Sequence, residues 1–359
     1  MRSLLVLLCL TACSPEPTPS STSPVAGRAR KLTLAAYTTP REAYGKAILP
    51  AFTSHWRSKT GEEVTFEESY QGSGAQARAV KEGFEADVVA LSLDPDVATL
   101  EEAGLITHDW RAGATGGMVS RSLAVIAVRP GNPKGIKDWT DLARPDVEVL
   151  TPNVRTSGGA MWNVLGIWGA GMRGHAGVAA GDNVGAETLL AGILKRVSVM
   201  DKGARESIVN FEKGVGDAAI TYENEVLVAK QEGQAMDYVV PSSTILIENP
   251  IAVVDTYATK HGNQDIATAF VGFCTSAEAQ RAYAQYGLRP VDEAAMSEGL
   301  PTPGDVFTIR DLGGWKEVKA KVFAKQGAYD RAVGQSGNVA AATPASSPAP
   351  VTLPKDAAK

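Results

Sequence analysis

The sequence predicts an α/β protein with mainly parallel sheets, folded as two lobes with a cleft between them. Three observations carry this. From Lys31 onward, short β-branched runs alternate with longer segments of helical period, the pattern of strands joined by crossover helices. Two long extended passages flank a self-contained α/β block, so the chain leaves one lobe, builds a second and returns. Roughly 300 residues lie between polar, Pro-rich ends, enough for two lobes of ordinary size. Ligands of such folds sit in the crevice between the lobes. No solenoid or propeller period recurs.

Met1-Arg2-Ser3 and then Leu4 to Leu10 form a charged start and an apolar run too short to span a bilayer, which reads as a secretory signal over residues 1–12. It ends in Leu10-Thr11-Ala12-Cys13, similar to the bacterial lipobox, so Cys13 is expected to carry a lipid anchor. The alternative is an ordinary signal cut near Ala12. Residues 13–30 hold Pro15, Pro17, Pro19 and Pro24 among Ser and Thr, a composition that buries no core and suits a tether. The Ala/Pro-rich stretch 335–359 reads the same way.

Between these ends the strand–helix pairs are 32–37 with 44–56, 64–66 with 75–81, and 87–91 with 97–103. A long apolar strand follows at 122–128, then Arg129-Pro130-Gly131-Asn132-Pro133-Lys134 and the helix opener Lys137-Asp138-Trp139. Residues 147–151, 197–200 and 218–222 read as strands leading into helices. Residues 238–241 and 245–254 form the second extended passage before a helical C-terminal third. The expected division is lobe 1 over 31–121 and 242–334, with lobe 2 over 122–241.

Of the cysteines, Cys9 leaves with the signal and Cys13 is acylated, so only Cys274 remains, between apolar neighbours. No disulfide is available, and Cys274 reads as a small buried hydrophobe rather than a nucleophile. The formal charge is −5, or −6 once Arg2 is removed, with no basic patch. This argues against nucleic acid. An anionic ligand would have to be held by local dipoles rather than net charge.

Four strand-to-helix turns have the chemistry to do so: Thr38-Thr39-Pro40-Arg41-Glu42, Gln71-Gly72-Ser73-Gly74-Ala75, Thr156-Ser157-Gly158-Gly159-Ala160 and Lys202-Gly203-Ala204-Arg205-Glu206. Each places small or hydroxyl residues where a helix exposes unpaired N–H groups and the positive end of its dipole. Glycines let the backbone approach closely, and Ser73 or Ser157 adds a hydroxyl while capping its helix. Any one such turn is an ordinary cap in an α/β protein. Four at corresponding positions, two in each lobe, point to an anion.

Catalytic constellations are missing from the sequence. Ser157 lacks the Gly-x-Ser-x-Gly frame, Lys59-Thr60-Gly61 has no Ser-x-x-Lys partner, and Gly72-Ser73-Gly74 is not followed by the Lys of a phosphate-binding loop. His55, His108, His175 and His261 are dispersed without metal-ligand spacing and read as surface residues. Glu223 and Glu225 do not face each other at the start of a helix, where its dipole accounts for them. The helix bearing Trp162 and Trp168 reads as core. No metal or cofactor is expected.

The chain resembles the periplasmic sulfate-binding protein family, type II substrate-binding proteins of sulfate and thiosulfate ABC importers. The resemblance runs from about Leu34 to Trp315 and rests on Ala36-Tyr37-Thr38-Thr39-Pro40-Arg41-Glu42, Gly72-Ser73-Gly74, Ala86-Asp87-Val88-Val89, Arg129 to Lys134, Asp138-Trp139-Thr140-Asp141-Leu142, Thr151-Pro152-Asn153, Thr156 to Ala160 with Trp162-Asn163, Gly203-Ala204-Arg205, Gly216-Asp217 and Glu223-Asn224-Glu225. It implies a two-lobed type II periplasmic-binding-protein fold and no enzymatic activity. It also implies an extracytoplasmic, lipid-anchored monomer that captures sulfate and delivers it to an ABC permease and its ATPase. Ligand contacts would come from Thr38, Ser73, Ser157, Gly158, Gly159, Ala204 and Tyr222. Arg205 would act as a counter-charge behind them, although a surface pair with Asp201 or Glu206 is the simpler reading. Thr38, Met161 and Tyr222 stand where the family often has Asp, Arg and Trp. A Tyr hydroxyl both donates and accepts, whereas an indole N–H only donates. Thiosulfate, molybdate, tungstate or phosphate therefore remain alternatives, with a tethered sulfate- or phosphate-ester hydrolase as the rival of another class.

Overall fold

The computed structural model describes residues 29–337. The expected leader, the Cys13 anchor, most of the tether and the stretch from residue 338 lie outside the described residues. Eleven strands form one sheet among the described residues: β1 (Arg30–Tyr37), β2 (Val64–Gln71), β3 (Val88–Ala90), β4 (Met118–Val128), β5 (Val149–Leu150), β6 (Val197–Val199), β7 (Ala218–Tyr222), β8 (Asp237–Val239), β9 (Ser243–Val253), β10 (Arg289–Pro290) and β11 (Asp305–Phe307). The order is β2-β1-β3-β9-β4-β7-β5-β6, with β8 and β10 on β4 and β11 on β9.

Two parallel groups are joined by two antiparallel crossing strands. In the first group β1 lies parallel to β2 and β3, and in the second β5 lies parallel to β6 and β7. The first half of β4 pairs with β9 and its second half, from Ala124 to Val128, with β7. The far end of β9, from Ile251 to Val253, pairs with β3. These are the two extended passages of the sequence.

The inner strands are covered on both faces, which is why β3, the second half of β4 and β7 read as continuous apolar runs, whereas the edge strand β2 carries exposed Glu67 and Glu68. On β1, Leu32, Leu34 and Ala36 pack with Phe52 and Phe270, while Ala35 faces Val97 and Leu100. On β4, Ala124, Ile126 and Val128 face the cluster holding Trp139, Leu165 and Trp168, and Leu123, Val125 and Ala127 face Ile208 and Phe211. The period of two sends alternate residues to opposite cores. The helix Gly158–Met172 is buried nearly all round, and Trp162 and Trp168 are core residues as expected. Cys274 is fully buried among apolar residues, and desolvation pushes its thiol up to about 12. Among the described residues no helix is long and apolar enough to cross a membrane.

The C-terminal segment differs from the expected division. The sequence division assigns 242–334 to the first lobe, but β11 pairs with the start of β9, and Phe307, Ile309, Val318, Val322 and Tyr329 join the core of the second group. The helix Ala328–Ser336 packs on the helix Asn183–Leu194 and continues into the stretch expected as tail. An apolar helix face shows that something will cover it, not what.

Candidate functional site

The four turns meet. Gly72 is in the extended region immediately before the helix Ser73–Lys81, and a Cβ there would fall 2.5 Å from the Thr156 carbonyl oxygen and 3.0 Å from that of Lys202. A Cβ on Gly159 would fall 2.8 Å from the Tyr222 ring, 3.2 Å from the Ala204 Cβ and 3.3 Å from the Ser157 Oγ. One on Gly203 would lie 3.6 Å from the Thr38 Oγ1. Gly72 permits the close approach of three backbones, and Gly159 and Gly203 make room for the side chains of the neighbouring turns. Ser73, Ser157, Gly158, Gly159, Ala204 and Tyr222 are all buried, and Thr38 is half-buried. A depression of about 760 Å³ beside them, lined by Thr38, Arg41, Glu42, Lys202 and Arg205 among others, opens to the surface between the two strand groups.

The donors divide into two kinds. Gly158 and Gly159 begin the Ser157-capped helix and Ala204 begins Ala204–Glu212, so their N–H groups precede any intrahelical acceptor. The Ser157 amide is taken by the Asn153 carbonyl at 3.0 Å, and its Oγ accepts from the Ala160 N–H at 3.3 Å. Its hydroxyl proton is left to donate. Ser73 differs from the expectation of a free hydroxyl donor: its Oγ donates to Asp96 and accepts from the Ser92 N–H at 2.9 Å. Burial pushes the Asp96 carboxyl up to about 6, against the Ser73 hydrogen bond and the charges of Arg78 and Lys319. The Tyr222 hydroxyl meets the Ser92 Oγ at 2.7 Å, and burial raises its pKa.

Arg205 reaches away from its own helix surface. Its guanidinium holds Glu42 at 2.9 and 2.8 Å, lies 2.6 Å from Glu225 and donates to the Thr39 carbonyl at 3.5 Å. The simpler reading of a surface pair with Asp201 or Glu206 is thereby corrected, since Asp201 accepts instead from Ser207 and Asn210. The Glu225 side chain is fully buried; desolvation raises its pKa and the Arg205 charge opposes this. Glu223 is likewise buried and binds Arg289 through two bonds, at 2.6 and 3.0 Å. These carboxylates do not face each other, as expected, but they anchor buried ion pairs rather than decorating a helix end.

Sequence reasoning missed Ser92 and Asp96. The signal was a fifth strand-to-helix turn, Leu91-Ser92-Leu93-Asp94-Pro95, which follows β3 and opens the helix Asp94–Glu102. It has no glycine, so its residue types are those of an ordinary helix cap. Among the described residues no group of three or more His, Cys, Asp or Glu could hold a metal ion. His261 is no isolated surface residue, since its ring nitrogens contact Asp87 at 2.8 Å and Glu85 at 3.1 Å.

Residues 32–289 match the family described as bacterial extracellular solute-binding protein. The sulfate-binding protein of Synechococcus elongatus is 42% identical over 320 residues, covering 87% of this chain and 89% of that protein. The thiosulfate-binding protein of Escherichia coli is 33% identical, covering 87% of this chain and 93% of that one. Among solved structures, the sulfate-binding protein SubI from Mycobacterium tuberculosis matches with a TM-score of 0.74 at 38% identity, over 81% of this chain and 98% of that one.

Proposed function

The chain belongs to the bacterial extracellular solute-binding protein family, and from that premise we propose that it captures sulfate on helix N-terminal amides and delivers it to an ABC permease and its ATPase. It is a binding protein and turns nothing over. The observation that carries the reading is the convergence of the four strand-to-helix turns around Gly72, Gly159 and Gly203. Each helix N-terminus acts as roughly half an elementary charge. Four together therefore balance about the two charges of a sulfate, in a protein whose formal charge is itself −5. Charge-assisted N–H bonds from the amides of Thr38, Gly158, Gly159 and Ala204, with the hydroxyls of Ser157 and Tyr222, would compensate the desolvation of the dianion. Ser73 stands in the same wall, with its proton turned toward Asp96. Arg205 lies behind, neutralising Glu42 and Glu225.

On this reading residues 31–121, with the chain from 242 to about the end of β10, form one lobe and residues 122–241, with the C-terminal segment, form the other; β4 and β9 are the hinge. Cys13 tethers a monomer to the extracytoplasmic face of a membrane. Thiosulfate is the second reading, supported by the 33% identity to the thiosulfate-binding protein of Escherichia coli over 87% of this chain. Isothermal titration of the purified protein against sulfate, thiosulfate, molybdate and phosphate tests both. Sulfate is expected to bind with the highest affinity, and absence of heat with all of them overturns the oxyanion reading.

A further inference from the structure

Ser92 lies in the turn after β3 and is fully buried. It ties together pieces of the protein that are remote in sequence. Its N–H donates to the Ser73 Oγ at 2.9 Å, and its carbonyl accepts from the Trp162 indole at 3.0 Å and the Asn249 amide at 3.1 Å. Its Oγ shares a hydrogen with the Tyr222 hydroxyl. Ser73 belongs to the first strand group, Trp162 and Tyr222 to the second, and Asn249 to the crossing strand β9. The contact with the second group is also steric, because a Cβ on Gly158 would fall 2.5 Å from the Ser92 Oγ. Tyr222 has no other hydroxyl partner among the described residues.

We propose that Ser92 is a positioning residue of the anion site, the clasp on which the second strand group closes and the group that sets the direction of the Tyr222 hydroxyl. The inference rests on the sulfate reading above. A fully ionised oxyanion only accepts hydrogen bonds, so Tyr222 must spend its single proton on the ligand. It can do so while fully bonded only when Ser92 donates to the Tyr222 oxygen, giving the order Ser92 to Tyr222 to anion. Each link of such a chain strengthens the next. The Ser92 N–H meanwhile fills an acceptor position of Ser73, fixing the wall on the other side of the ligand. Because the clasp joins the two halves, its loss acts on the closed, liganded state, and thus on release more than on capture.

Sulfate binding by wild type, Ser92→Ala, Tyr222→Phe and the double variant, followed by titration calorimetry and stopped-flow Trp fluorescence, tests this. Ser92→Ala is expected to speed sulfate release about tenfold, the loss of one buried hydrogen bond, with association within about twofold of wild type. Tyr222→Phe should do the same, and the double variant should lose no more than the larger single loss, the sign of a coupled pair. The ligand-free melting midpoint of Ser92→Ala should fall by no more than about 4 °C. Wild-type binding with release unchanged in Ser92→Ala, or additive losses in the double variant, overturns the role of Ser92 alone. A wild type that binds no sulfate overturns the site reading and this inference with it.

Discussion

Ser157→Asp separates the anion site from the fold. Ser157 is an N-cap whose Oγ accepts from the Ala160 N–H. Aspartate caps as well as serine, and its charge at a helix N-terminus is favourable by about 0.3–1 kcal/mol, so the helix Gly158–Met172 should form as before. The ligand would suffer. The Ser157 Oγ lies 3.3 Å from the position of a Cβ on Gly159, which places a carboxylate on the order of 5 Å from an anion bound to those amides. At an effective dielectric of about 20, each charge pair at that distance costs roughly 3 kcal/mol, or about 7 kcal/mol for a dianion. That corresponds to about five powers of ten in affinity, and half of it still exceeds a hundredfold. Titration calorimetry should therefore show no sulfate binding by the variant at millimolar concentration, while its melting curve overlays the wild type within a few degrees. Retention of affinity within tenfold would remove this helix N-terminus from the site.

Gly159→Ala puts a methyl 2.8 Å from the Tyr222 ring and 3.2 Å from the Ala204 Cβ; overpacking of about 1–3 kcal/mol should lower sulfate affinity by tenfold or more in the same titration. Arg205→Met leaves the fully buried Glu225 without its counter-charge. It should cost about 3–5 kcal/mol in urea unfolding, and adding Glu225→Gln should recover part of it; a neutral Arg205→Met would show that the pair is not buried in solution. Asp305 is held down to about 2, chiefly by its hydrogen bonds to Arg173 and also by Ser243 and the charge of His175. A depressed carboxyl stabilises the fold above its unfolded pKa, near 3.8, and that contribution is lost as pH falls toward 2, about 2 kcal/mol in all. Asp305→Asn should thus lower the urea midpoint at pH 7 and lower it by only about half as much at pH 3; an equal deficit at both would refute the assignment.

The proposed site was legible in part because the donors assigned to it are mostly backbone groups. An amide at a helix N-terminus is exposed whenever a strand gives way to a helix, and Gly72, Ser157, Gly158, Gly159 and Gly203 announce such turns by residue type alone. Ser92 does the same at a turn without glycine, and Asp96 sits in a first helical turn where an acidic residue is unremarkable. Neither could be told apart from ordinary capping before the chain was folded.

What the sequence determined by itself is local: the alternation of strands and helices, the caps, the crossing passages and the amides they aim. These follow from contacts within a few residues, where type and spacing suffice. What only the tertiary structure decided are the pairings between distant residues. Arg205 and Glu42 are 163 positions apart and Ser92 and Tyr222 are 130 apart. The C-terminal segment had two apolar cores available and joined the second. Burial makes a partner obligatory for a carboxylate such as Glu225, yet nothing near Glu225 in the chain says that Arg205 will be that partner.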